Sequence, residues 1–478
     1  MRIFQFAEQY AERTLAVTEA GERVRYGEIS EAAALFQREA GRNLVFLLCR
    51  NTPGALLAYL GALNSEAVPL LLDAAAPTEL MRGLLERYRP AFCAFPAERR
   101  EELLPLLPAA KERGRVRDCL LLETGWEGPA LSERLKLLLT TSGSTGSPKL
   151  VRLSAENLDA NAEAIAAYLE IGAGERPITS LPMHYSYGMS VIHSHVLVGA
   201  ALILTERTVL ERAFWALAAR EAATSFAGVP YTYELFRRLK LGQLAPESMR
   251  TLTQAGGKLP PELHEALARW CRDTGRRFFV MYGQTEAAPR MGYLPPEVSL
   301  EKRGSMGVAI PGGRLWLMDG GGAEITVPGE TGELIYAGAN VCLGYAETRE
   351  DLLLGDENGG VLRTGDMAYR DAGGYFYITG RKQRFLKPLG RRVSLDDVER
   401  RLAGALGLEA ACAGTDERLY VYLAGADAAK AEQAAAYLAG VMQLPPAWLR
   451  VVPVDTIPRN DTGKILYGKL TPPSAFLS

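Results

Sequence analysis

The sequence predicts an α/β protein built of several units, and three observations carry that prediction. Its 478 residues exceed what one ordinary hydrophobic core organises. Over residues 42–108, short apolar runs alternate with helical patterns, the rhythm of βα units on a largely parallel sheet. From Gly304 the texture turns to short strands, frequent glycine and turn dipeptides, with little room for helix.

The elements follow in order. Leu44, Val45, Phe46, Leu47 and Leu48 form an apolar run of strand length, and residues 78–88 carry a helical pattern. Apolar runs at 137–139 and 150–153 read as two strands on either side of a Ser/Thr/Gly-rich loop. Ser154 begins a helix whose Leu158, Ala162, Ile165 and Leu169 share one face. Strands at 201–204 and 278–281 place a second α/β unit after it. Residues 304–382 form a β-rich subdomain, and a large N-terminal domain ends at 382. The tail 383–478, about 95 residues, suffices for a small α+β domain. Ser394, with Asp397 three residues on, resembles a capping box opening one helix, and an Ala-rich helix is expected over 426–438.

The net charge of −2, from 54 basic and 56 acidic side chains, provides no global field for nucleic acid or an anionic membrane. Any phosphate binding is therefore local. The six cysteines, Cys49, Cys93, Cys119, Cys271, Cys342 and Cys412, are scattered singly. They lack zinc-ligand spacing and read as buried thiols of a reducing cytoplasm. Charges interrupt the N-terminus too early for a signal peptide, and the most apolar later stretch, 56–76, contains Asn64, Glu66 and Asp73. Neither export nor a membrane span is expected.

Four stretches carry chemistry. The loop 140–149, TTSGSTGSPK, offers consecutive backbone N–H groups, hydroxyls and the Lys149 ammonium, a set suited to a polyphosphate. It is not a Walker A loop, because Lys149 follows a proline and a strand, not a helix, comes next. MYGQTEAA, 281–288, places Tyr282 for stacking, Thr285 for a phosphate oxygen and Glu286 for a hard cation that keeps most of its waters. In LRTGDMAYRDAGGYFYITGRKQ, 362–383, the two oxygens of Asp366 suit a ribose diol and Arg381 is a donor fork. PRNDTGKILYGKL, 458–470, mounts Lys464 just beyond a tight turn. Taken singly, each has an ordinary reading: a flexible Ser/Gly turn, a solvated carboxylate, a β-hairpin turn and a surface lysine.

Together, in this order and at these separations, the stretches resemble the adenylate-forming superfamily of acyl- and aryl-CoA synthetases, peptide-synthetase adenylation domains and luciferases. Thr141, Ser142, Gly143, Ser144, Thr145, Gly146, Ser147, Pro148 and Lys149 match its [ST]SG[ST]TGxPK loop. Also matching are AGGKL at 255–259, YGxTE, Gly332-Glu333-Leu334, Gly344-Tyr345, the TGD motif, the Gly-Arg approach to the hinge and PRNxxGK.

The resemblance implies ATP-dependent, Mg²⁺-assisted formation of an acyl-adenylate from a carboxylic acid, followed by transfer to a thiol. Lys464 would bridge the attacking carboxylate and the α-phosphate, and the 141–149 loop would embrace the β- and γ-phosphates. Glu286 would help hold Mg²⁺, Asp366 the ribose, and Tyr282 and Gly283 with Gly257 and Lys258 the adenine side. Arg392 matches an arginine that meets the α-phosphate, and Gly390 lies where a pantetheine arm would pass. The C-terminal domain would be mobile, pivoting at Gln383 so that Lys464 leaves before thiol attack. Here the sequence departs from pattern: an uncharged Gln383 replaces the usual Asp or Lys, and Lys387-Pro388 stiffens the run beyond it.

The same resemblance places the acid. Amino-acid-activating members carry an Asp where this chain has Gly188, which cannot pair with an α-ammonium, so the substrate is expected to lack an α-amino group. The pocket would be lined by Tyr187, Met189, Ile192, Ala227, Ala255 and Met281, suiting an aryl or short-to-medium acyl acid, with His184 gating the entrance. His193 and His195, two apart on a helix, cannot chelate together. Arg290 is expected at the surface, the commoner place for an arginine; the alternative is that it approaches the pocket base and favours a polar or anionic tail. The acceptor is coenzyme A or, alternatively, the phosphopantetheine of an acyl carrier protein. A nucleotide-binding regulatory protein without chemistry is the reading of a different class, and the intact Lys464, Glu286 and phosphate loop weigh against it.

Overall fold

The computed structural model describes residues 1–4, 9–37, 41–140, 149–382, 384–386, 393–415, 418–441, 448–459 and 465–470. The chain divides into two compact units, Met1–Leu315 with Tyr336–Leu362, and Trp316–Ile335 with Arg363–Ser478.

The first unit holds two large sheets. The eight-stranded one runs in the spatial order Gly344–Ala346, Leu150–Ser154, Leu135–Thr140, Ala67–Asp73, Asn43–Cys49, Phe92–Pro96, Cys119–Glu123 and Lys111–Val116. Its four middle strands are parallel. Asn43–Cys49 is buried along its whole length, as a parallel strand covered on both faces must be. Its side chains alternate between two cores: Val45 and Leu47 join Leu56, Leu57 and Leu60, while Leu44, Phe46 and Leu48 join Met81, Leu84, Leu85 and Tyr88. The first of these partners lies on helix Pro53–Leu63, apolar and buried on every side, and the second on the amphipathic helix Thr78–Tyr88.

The nine-stranded sheet runs Val308–Ala309, Arg290–Leu294, Arg277–Gly283, Thr251–Gln254, Ser225–Gly228, Pro177–Ile178, Leu202–Ile203, Thr14–Val17 and Arg23–Arg25. The strands from Arg277–Gly283 to Thr14–Val17 are all parallel. Helix Ala155–Leu169 begins where the sequence predicts. Ser154 accepts the Asn157 N–H at 3.1 Å and Asn157 Oδ1 accepts the Ser154 N–H at 2.8 Å, a reciprocal cap. Leu158, Ala162, Ile165 and Leu169 are buried, the expected face.

The Gly-rich segment 304–382 is shared among sheets. Five strands form a sheet of their own, in the order Glu324–Ile325, Arg314–Met318, Thr331–Ala337, Val361–Arg370 and Phe376–Arg381. Val308–Ala309 instead extends the nine-stranded sheet, and Gly344–Ala346 pairs with Leu150–Ser154 to extend the eight-stranded one. In the second unit, Ala410–Thr415, Arg418–Ala424 and Leu449–Val454 form a three-stranded sheet accompanied by helices Leu395–Leu406 and Ala428–Val441. The latter opens beside its expected start near 426, where Asp427 Oδ1 accepts the Lys430 N–H at 2.8 Å and caps it, and it runs on past 438 to Val441. Ser394 precedes the other helix, but its side chain lies outside the described residues. Among the described residues no helix is long and apolar enough to cross a membrane, and all six cysteines are buried and unbridged.

Candidate active site

A row of parallel strands that end together leaves a crevice at its carboxyl edge, the usual place for a ligand in an open α/β sheet. Ala227 lies near the end of Ser225–Gly228, Ala255, Gly257 and Lys258 follow Thr251–Gln254, and Met281, Tyr282 and Gly283 end Arg277–Gly283. Thr285 and Glu286 stand on the short turn Thr285–Ala287 directly beyond. The glycines of the row are dictated by close packing. Gly256 has φ +86°, and a Cβ there would overlap the Tyr185 hydroxyl; one at Gly283 would overlap the Pro289 carbonyl oxygen. Gln254, fully buried, donates to the Gly257 carbonyl at 2.9 Å and so fixes the Gly257-Lys258 turn from beneath.

Glu286 is held at both ends. Its carbonyl accepts the Cys342 N–H at 2.8 Å, and its Oε1 accepts the Tyr345 hydroxyl at 2.8 Å. Burial first, and then the neighbouring Glu286 carboxylate, raise the Tyr345 hydroxyl pKa, so the phenol stays a proton donor. Lys149 Nζ is 5.9 Å from the Tyr345 ring centroid and 2.6 Å from Glu347 Oε1. Thr285 meets Ser186, the first residue of helix Ser186–Leu197, with 3.2 Å between hydroxyl oxygens.

Arg152 underpins this cluster and was not singled out by sequence reasoning. Fully buried, it donates to the carbonyls of Tyr345 at 2.9 Å, Gly355 at 3.1 Å and Leu343 at 3.3 Å, and also to Leu354 and to the Glu357 carboxylate. A guanidinium thus fastens the strand bearing Tyr345 to the strand that follows Lys149. The available signal was a charge in the middle of an apolar strand.

Helix Ser186–Leu197 separates the expected pocket residues into two faces. Tyr187, Val191, Ser194 and His195 turn toward the strands, where the Tyr187 hydroxyl meets Thr253 Oγ1 at 2.8 Å. Met189 and Ile192 lie on the other face, in the core shared with helix Pro53–Leu63. At about 100° per residue, positions 189 and 192 cannot share a stripe with 187 and 191, so these two do not gather with Ala227. Met281 does reach this side, its sulfur accepting the Tyr168 hydroxyl at 2.9 Å. Ala255 is buried, its N–H bonded to the Gly228 carbonyl at 3.3 Å. A Cβ at Gly188 would overlap the Pro182 carbonyl oxygen, so packing excludes any side chain there.

The histidines take three different situations. His193 is stacked on Tyr59 and bonded to its hydroxyl at 2.7 Å, and burial drives its pKa down to about 3. His195 donates from Nδ1 to the Val191 carbonyl at 2.8 Å, and burial lowers its pKa to about 4. Both are neutral structural groups pointing apart. His184 is partly exposed, with Nε2 3.9 Å from Asp73 Oδ2.

Arg290 is not at the surface: it is 2% exposed. It sits opposite Gly283 in the antiparallel pairing of Arg290–Leu294 with Arg277–Gly283, and its guanidinium carbon lies 3.9 Å from the Tyr187 ring centroid. With Ala227, Thr253, Ser194 and His195 it lines a cavity with about 30 Å³ of room.

In the second unit, Asp366 and Arg381 are directly opposed on neighbouring strands. Arg381 Nε donates to Asp366 Oδ1 at 2.6 Å, and Asp366 is buried while Arg381 is exposed. Thr141, Ser142, Gly143, Ser144, Thr145, Gly146, Gln383, Gly390, Arg392 and Lys464 lie outside the described residues.

Residues 3–346 match the family described as AMP-binding enzyme. Sulfoacetate–CoA ligase of Cupriavidus necator is 30% identical over 345 residues, 70% of this chain and 66% of that protein. 2-Succinylbenzoate–CoA ligase of Bacillus pumilus is 29% identical over 55% of this chain and 52% of its own length. The chain thus spans between about half and two thirds of these curated relatives. The solved structure of o-succinylbenzoate CoA synthetase (MenE) from Bacillus subtilis with the acyl-adenylate OSB-AMP superposes with a TM-score of 0.77, at 23% identity and covering 98% of both chains.

Proposed function

Because the chain belongs to the AMP-binding enzyme family, we propose that it activates a carboxylic acid with ATP, releasing pyrophosphate, and passes the acyl group from the acyl-adenylate to the thiol of coenzyme A. The observation that carries this reading is the carboxylate of Glu286, steadied by Tyr345 with Lys149 beside it, on the turn beyond a parallel strand.

Adenylation asks for positioning and charge neutralisation rather than a base, since a carboxylic acid is already ionised at pH 7. A carboxylate oxygen attacks the α-phosphorus, the α–β bridging oxygen leaves with pyrophosphate, and the acyl-adenylate remains. Lys149 and the loop 141–146 hold the β- and γ-phosphates, with Thr285 adding a hydroxyl. Glu286 suits Mg²⁺, which takes one or two protein carboxylates and completes its shell with phosphate and water; among the described residues no trio of ligating side chains forms a cage. When bound, that ion neutralises charge on the departing pyrophosphate. Tyr282, Gly283, Gly257 and Lys258 border the adenine, and Asp366 takes the ribose hydroxyls, oriented by Arg381. Arg392 and Lys464 stabilise the α-phosphate as charge builds, Gly390 gives the pantetheine arm passage, and Gln383 is the pivot between half-reactions.

The acid lacks an α-amino group, because Gly188 offers no carboxylate and packing admits none. An aryl or short-to-medium acyl acid fits the apolar surroundings of Ala227, Ala255 and Met281. Relatives named as ligases of sulfoacetate and 2-succinylbenzoate to CoA support both the acid class and coenzyme A as acceptor. The test is product analysis with ATP, Mg²⁺, coenzyme A and a panel of carboxylic acids. AMP and an acyl-CoA are expected in equal amounts for at least one acid. ADP in place of AMP, or no thioester from any acid, overturns the proposal.

A further inference from the structure

Arg290 is a cationic pocket residue with an unmet polar group, and His195 beside it in the cavity lining likewise has a buried Nε2 without a partner. The Arg290 backbone is clamped: Asn161 Oδ1 accepts its N–H at 3.4 Å, and its carbonyl accepts from Asn161 Nδ2 at 3.0 Å and Asn340 Nδ2 at 2.8 Å. Both asparagines are buried, so the strand start is rigid and the side chain enters the interior by construction. There the residue is 2% exposed; its side chain is hydrogen-bonded to Tyr168, yet among the described residues it makes no ion pair, and its Nε is buried without a hydrogen-bond partner. The one carboxylate lining the same cavity, Glu175, is already engaged by Arg250 at 2.6 Å and by Thr224.

A cation removed from water bears a large desolvation cost even after relaxation. Stacking on Tyr187 and the hydrogen bond to Tyr168 offset it only in part, since neither group carries a negative charge. A chain that bears this deficit at the end of its substrate pocket is built to receive a counter-charge from outside. The surroundings fit: Thr253, opposite Ala227 in the parallel register, carries a hydroxyl beside the arginine's aromatic partner, and Arg290 itself faces Gly283, one residue from Tyr282.

We propose that the acid substrate carries a second anionic group, a carboxylate or sulfonate at the far end from the reacting carboxylate, and that Arg290 is the residue that selects it. This rests on the acid-activating reading above, and it narrows the class from acyl acids at large to small dianionic acids.

The test compares acids matched in length, butanoate against succinate and 3-sulfopropanoate, in wild-type, Arg290→Met and Arg290→Lys proteins. Pyrophosphate exchange gives kcat/KM for each acid, and calorimetric titration of each acid into the nucleotide-free protein reads binding without chemistry. Thermal melts establish that the variants are folded, and Arg290→Lys, which keeps the charge, serves if the methionine variant is not. The expected result is a dianion preference over butanoate in the wild type that falls roughly 30-fold or more in Arg290→Met and recovers partly in Arg290→Lys. Equal losses for butanoate and the dianions, or a wild-type preference for butanoate, overturn the inference while leaving acid activation intact. If no acid supports exchange but succinate or 3-sulfopropanoate binds in an Arg290-dependent way, the catalytic reading fails and the anion site stands. Absence of dianion binding to the wild type overturns the site.

Discussion

Tyr345 donates its hydroxyl to Glu286 Oε1 at 2.8 Å, joining a residue of the eight-stranded sheet to the turn that follows a strand of the nine-stranded one. Each is anchored independently, Tyr345 through Arg152 and Glu286 through the Cys342 N–H. The bond therefore orients a carboxylate whose position is already set, which is what a cation with strict octahedral demands requires.

Glu286→Gln keeps the shape and removes the charge. Exchange activity should fall roughly 100-fold or more, with a raised Mg²⁺ requirement. Tyr345→Phe should cost only about 5- to 10-fold, the worth of one hydrogen bond. Titrating Mg²⁺ in both variants separates the two, and an unchanged Mg²⁺ dependence in Glu286→Gln would remove its assigned role.

Lys464→Ala should fold normally and bind ATP as the wild type does, yet lose roughly two or more orders of magnitude in adenylation rate. Lys149→Ala should instead weaken ATP binding. Equilibrium ATP binding measured beside pyrophosphate exchange distinguishes these outcomes.

At Gly188 even one methyl group collides with the Pro182 carbonyl. Gly188→Ala should lower stability by about 1–3 kcal/mol, as overpacking does. Gly188→Asp should not confer activation of amino acids, because the carboxylate cannot be seated without moving that loop. Denaturant melts and exchange with an amino-acid panel check both halves.

The pH dependence of stability follows from three buried histidines. Burial lowers His193 to about 3 and His195 and His264 to about 4. His264 Nδ1 accepts the Gly304 N–H at 3.2 Å, leaving Nε2–H to donate to Ser299 at 2.8 Å, so the folded ring has no place for a second proton. The unfolded chain protonates near 6.5, and between that value and about 4 it binds more protons than the folded chain. Stability should be full above about pH 6.5 and decline as pH falls toward 4. Denaturation midpoints at pH 7.5 and 4.5 check this, and His264→Gln should show a shallower decline.

Much of the architecture was legible because it rests on local signals. The apolar run 44–48, the helical stripe at 158, 162, 165 and 169 and the helix start at Ser154 reappear where expected, since burial and capping act within a few residues. Motif order singled out Glu286, which stands on a turn, Tyr282, next to the last residue of its strand, and, in the second unit, Asp366, within the strand Val361–Arg370. Arg152 and the burial of Arg290 stayed hidden, because both depend on carbonyls and aromatic rings distant in sequence. Met189 and Ile192 were grouped with Ala227, but the helical turn between 187 and 189 sends them to the opposite face.

Whether a carboxylic acid makes the protein exchange labelled pyrophosphate into ATP is the most direct test of acid activation. Exchange that requires both Mg²⁺ and an acid, and that collapses in Lys464→Ala and Glu286→Gln, is the predicted result. Exchange independent of any acid, or unaltered in both variants, would contradict it.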